Sequence, residues 1–161
     1  MTKALAMTIL FLLLAVVQTS FFASLPGALA LVPVVLATGI YLRQHVQEPS
    51  GAILIAGFGL FLDLLSTPSF PFETLSYAAA AIVASLTARH VFSNRSWYGL
   101  LACGASSLVA LFFARAVTVA LVSLRHPERV SWDSYGEAFF WNVFFLSALL
   151  SAYVTFAKPI R

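Results

Sequence analysis

Charge is what this sequence has least of. Only 9% of its 161 residues are Asp, Glu, Lys or Arg, 61% are hydrophobic, and the mean hydropathy is +0.94. A soluble domain spends about a quarter of its residues on charge. So few charges cannot cover a water-facing exterior, which argues against a soluble globular domain and for an integral membrane protein. Cysteine is nearly absent too. Cys103 stands alone in an apolar stretch, which excludes an internal disulfide and a Cys-based metal cluster and leaves an inert buried thiol. The net charge is +3, but the basic residues are scattered between apolar runs. That dispersal sets membrane topology and does not form a nucleic-acid-binding patch.

Where charge is missing, the chain can span lipid. Residues 4 to 42 carry none, enough for two spans separated by the turn chemistry of Ser24-Leu-Pro-Gly27. The pattern predicts an all-α, polytopic membrane protein of about six transmembrane helices in one domain, residues 1–161. The six helices are Ala4 to Phe22, Ala28 to Leu42, Gly51 to about Leu65, Thr74 to Ala88, Tyr98 to Val122 and Ala138 to Phe156. The second, third and fourth are shorter than the roughly 20 residues that cross a bilayer upright. Lys3, the first apolar run and Ala28-Leu-Ala30 loosely match a signal peptide. The run before Ala28 is long, however, so an uncleaved first span is expected.

Orientation follows from the basic residues. With the N-terminus cytoplasmic, the inner segments hold Lys3, Arg43, Arg89, Arg95, Lys158 and Arg161, and the outer loops hold only Arg125 and Arg129. Both termini are therefore expected in the cytoplasm. The longest polar segment is Ser123 to Glu137.

Two charges remain inside spans, Asp63 and Arg115. A charge at the bilayer centre costs at least about 3 kcal/mol, so it usually faces the bundle interior with a partner. Counting at 1.5 Å per residue puts both in the outer half of the membrane, so an Asp63–Arg115 ion pair is expected. Alternatively, Asp63 caps a helix end, Arg115 snorkels to headgroups, or one of them serves a substrate. Ala52, Ala56, Gly59 and Asp63 fall on one stripe, a small-residue face that lets another helix approach closely. Gln18 and Asn142 read as helix–helix hydrogen bonds. His45, His90 and His126 lie in loops without neighbours at metal-ligand spacing. Asn94-Arg-Ser96 is a glycosylation sequon in a predicted inner loop. Neither a catalytic constellation, a metal site nor a cofactor motif is discerned.

The stretch GFGLFLDLLSTPSFPFETLSY, Gly57 to Tyr77, resembles the signature region of the MreD family, the membrane subunit of the bacterial rod-shape system. The matching residues are Gly57, Gly59, Asp63-Leu-Leu-Ser66, Leu75 and Tyr77, with Val91-Phe-Ser-Asn-Arg-Ser96 similar to the family's inner loop. Phe70-Pro71-Phe72 departs from the Leu-Gly pair common in the family's turn. The resemblance implies a fold similar to the substrate-binding component of energy-coupling-factor transporters. It also implies a non-enzymatic scaffold in the bacterial inner membrane. Its partners would be MreC and, through the complex, a SEDS glycosyltransferase, a class B penicillin-binding protein and, indirectly, MreB. Arg125, Arg129, Trp132 and Asp133 in the outer loop are the candidate partner contacts. The alternative is a vitamin-binding transporter subunit, which would take its ligand near the outer face.

Overall fold

A computed structural model describes residues 2–66, 70–91, 96–123 and 132–156. The described residues form an all-helical bundle. Its helices are α1 (Thr2–Val16), α2 (Val34–Gln44), α3 (Ser50–Ser66), α4 (Phe72–Leu86), α5 (Trp97–Ser123) and α6 (Trp132–Phe156). Helix α1 continues through a widened π-helical stretch, Val17–Phe21, and a short 3-10 turn, Phe22–Ser24. A second π-helical stretch, Thr87–Val91, extends α4.

Three stretches are long and apolar enough to cross a membrane: Ala4–Ser24, Trp97–Leu121 and Tyr135–Phe156. Their outward faces are apolar as well. Leu5, Ile9 and Leu13 on α1 and Phe113 on α5 are exposed, which in water would be a liability and in lipid is the expected surface. Helix α3 is equally apolar but shorter.

The expected boundaries hold for α3 and α5 to within a residue. They fail for the second span. Gly27–Leu31 is a separate 3-10 segment, and α2 proper begins only after Pro33. A proline lacks the N–H that a continuing helix needs, and it disfavours helical geometry in the residue before it, so Val32-Pro33 ends one segment and starts another. The last helix starts at Trp132, before the expected Ala138.

Helix α2 is short because it is the core. Val35, Ala37 and Ile40 are fully buried. Gly39 and Gly51 face each other across the α2–α3 contact, where an added side chain on either would strike Ile55 or the α2 backbone. The Thr38 Oγ1 and Tyr153 Oη atoms, 2.8 Å apart, tie α2 to α6.

Helices α2 and α4 begin in the same way. Pro33 (φ −88°, ψ 65°) and Pro71 (φ −78°, ψ 68°) each sit at the centre of an inverse γ-turn. In the first, Val34 N–H donates to Val32 O at 3.1 Å; in the second, Phe72 N–H donates to Phe70 O at 2.9 Å. In each case a polar side chain from the preceding hairpin arm accepts from the first turn. The Gln18 Oε1 atom accepts from Val35 N–H at 2.8 Å, and Asp63 serves α4. The first turn of any helix leaves N–H groups without intrahelical partners, and here a side chain from another segment takes one or more of them. A polar residue within an otherwise apolar segment is the solution used twice.

Candidate functional site

The second of these junctions gathers the polar groups of the bundle. Asp63 lies three residues from the end of α3 and is buried, with 8% of its surface exposed. Its Oδ1 accepts from Glu73 N–H at 3.1 Å. Its Oδ2 accepts from Thr74 N–H at 2.7 Å and from the Thr74 hydroxyl at 2.6 Å. The carboxylate is thus a cap for α4, supplied from the neighbouring helix, and it meets the positive end of the α4 dipole. The acid in this apolar run thus has a structural role: three donors from the start of α4 converge on it.

Arg115, eighteen residues into α5 from Trp97 and so about 27 Å along it, pairs with Glu73 through its Nη2. The guanidinium also lies over the Tyr77 ring at 5.4 Å and the Phe112 ring at 5.9 Å. Its Nε is buried without a hydrogen-bond partner among the described residues. Arg115 and Glu73 are 27% and 33% exposed, so the pair opens towards the end of the bundle. Tyr135, at the start of α6, packs edge-on against Phe112 at 5.7 Å.

The expected Asp63–Arg115 pair is therefore corrected. Both residues reach one junction, but Glu73 stands between them, giving its backbone N–H to Asp63 and its carboxylate to Arg115. Glu73 directly precedes the fourth helix expected from the sequence, Thr74 to Ala88. The signal available was its place two residues after Pro71, in the first turn of α4, where a carboxylate is favoured. A double-mutant cycle on Glu73→Gln and Arg115→Gln should give a coupling of about 1 kcal/mol in thermal unfolding. The same cycle on Asp63→Asn and Arg115→Gln should give a smaller one. Equal couplings would count against this partition.

Along the stripe of Ala52, Ala56 and Gly59, the close approach to α4 falls at Gly59. An added Cβ on Gly59 would lie 2.6 Å from Glu73 O and 2.7 Å from Tyr77 Cβ, so α3 and α4 touch backbone to backbone there. Ala52 and Ala56, further along the stripe, line a groove with Ala78 and Ala81 of α4. Of the two span amides, Gln18 bonds to another segment, whereas Asn142 Nδ2 donates to Ala138 O within its own helix. Cys103 is buried with Sγ 3.3 Å from Thr87 Oγ1. Tyr41 and His45 stack, their centroids 5.1 Å apart. Ser96, part of the sequon, accepts from Gly99 N–H at 3.1 Å and caps α5. Arg125 and Arg129 lie outside the described residues. Trp132 and Asp133 open α6, but their side chains lie outside what is described.

Comparison with protein-family models, with curated proteins and with solved structures finds no match to this chain.

Proposed function

We propose that this protein is a non-enzymatic scaffold of the MreD type. It would sit in the bacterial inner membrane with six spans and both termini cytoplasmic. There it would bind MreC and support the peptidoglycan-elongating glycosyltransferase and transpeptidase, with MreB engaged indirectly. One observation carries the reading. The segment on which the resemblance rests, Gly57 to Tyr77, builds a closed junction: Gly59 seats α4, Asp63 caps it, and Tyr77 backs Arg115. The polar groups of the signature hold helices together. Helices joined in this way suit a surface gripped by partners.

A second reading, the vitamin-binding subunit of an energy-coupling-factor transporter, is favoured by the buried Arg115 Nε without a partner and by the partial exposure of the Arg115–Glu73 pair. Affinity purification after crosslinking in native membranes separates the two. The scaffold reading expects recovery of MreC and loss of rod shape on depletion. Recovery of transporter ATPases together with a retained vitamin would overturn it.

A further inference from the structure

We propose that the end of the bundle where α2 and α4 finish carries a site for an anionic phospholipid, its phosphate held by Arg43 and Arg89 and an acyl chain laid in the groove between α3 and α4. The groove has a cavity volume of about 380 Å³. Its floor is made of Ala52, Ala56, Ala78 and Ala81, and its rim carries the exposed side chains of Ile53 and Ile82. Small residues below and branched residues beside them leave an apolar trough that suits a hydrocarbon chain.

The trough leads to charge. At its end Arg43 Nε donates to Ser85 Oγ at 3.4 Å. Ser85 lines the trough, and one turn further along, Ala88 and Arg89 line a second hollow of about 320 Å³ together with Arg43 and Gln47. Polar and apolar groups share the lining of this second hollow, in contrast to the apolar trough. The π-helical widening at Thr87–Val91 carries Arg89 at its rim, where it is exposed. Among the described residues neither arginine has a carboxylate partner. Two like charges sharing one hollow repel each other, and an anion between them turns that repulsion into two charge-assisted contacts. Basic pockets between transmembrane helices bind phospholipid headgroups for this reason. A free phosphate could meet the arginines; only a lipid uses the hollow and the trough together. The proposal rests on the chain lying in a bilayer and is independent of the scaffold reading, so failure to capture MreC leaves it standing.

The test is native mass spectrometry of the full chain in detergent, titrated with phosphatidylglycerol, with phosphatidylcholine of the same acyl chains, and with inorganic phosphate. Phosphatidylglycerol should bind more tightly than phosphatidylcholine. Arg43→Gln and Arg89→Gln should each weaken it about fivefold, while Arg89→Lys should largely retain it. Ala78→Leu, which fills the trough, should weaken the lipid and leave phosphate unaffected. Equal binding of the two lipids, or no effect of either glutamine variant, overturns the proposal. Inorganic phosphate competing as well as phosphatidylglycerol, with Ala78→Leu harmless, overturns the lipid assignment. Arg89→Gln alters an exposed side chain, so it remains informative if Ala78→Leu fails to fold.

Discussion

Replacing Asp63 with leucine should lower the stability of the protein by at least about 3 kcal/mol. The substitution strands the N–H groups of Glu73 and Thr74 and the Thr74 hydroxyl, and each unsatisfied buried donor costs about 1–3 kcal/mol. For a chain of this size that corresponds to a fall of about 6–12 °C in the unfolding midpoint, read by heating the detergent-solubilised protein and measuring the fraction that stays monodisperse. Asp63→Asn keeps one oxygen that can accept and should lose less. Thr74→Val removes only the hydroxyl and should cost about 1 kcal/mol. The order matters more than the sizes. If leucine is tolerated as well as asparagine, the cap does not hold α4 in place.

The same residues show how far the sequence could be read. Its hydropathy alone located α3 and α5, because an apolar run bounded by charge leaves little freedom about where a helix in lipid begins and ends. It also selected Asp63, Arg115 and Gly59, since a charge or a gap in an apolar run needs a reason. The partners were not legible. Depth along two helices put Asp63 and Arg115 at similar levels, yet depth says nothing about azimuth or about a third residue between them. Glu73 was hidden by its position just outside the expected fourth helix, two residues after Pro71. The shortness of α2 did have a signal, Pro33, which hydropathy alone passes over. Residues 28 to 42 are all compatible with a span by composition; the γ-turn at Pro33, closed by Val34 N–H on Val32 O, divides them, and Gln18 from the π-helical stretch after α1 accepts from Val35 N–H. At both helix starts what stayed out of reach was the acceptor for the first-turn N–H groups, which comes from a segment distant in sequence.

Gly59→Ala should destabilise the protein, and Gly57→Ala, two residues away on the same helix, should not. Alanine favours a helix over glycine by about 1 kcal/mol, so both substitutions begin with an advantage. At Gly57 the nearest atom to the new methyl group is the Phe11 ring, 3.6 Å away, an ordinary contact that leaves the advantage intact. At Gly59 the methyl group would lie 2.6 Å from the carbonyl oxygen of Glu73 and 3.0 Å from its carbonyl carbon. Backbone cannot rotate aside as a side chain can, so α3 and α4 must separate. Overpacking of this kind costs about 1–3 kcal/mol. The separation also draws Glu73 and Thr74 away from Asp63, so the cap loosens with it. Asp63→Asn should therefore cost less in the Gly59→Ala background than in the native protein, a non-additivity expected of residues sharing one contact. Additive losses would mean that the cap at Asp63 and the close approach at Gly59 are separate features, and that the junction does not act as a unit.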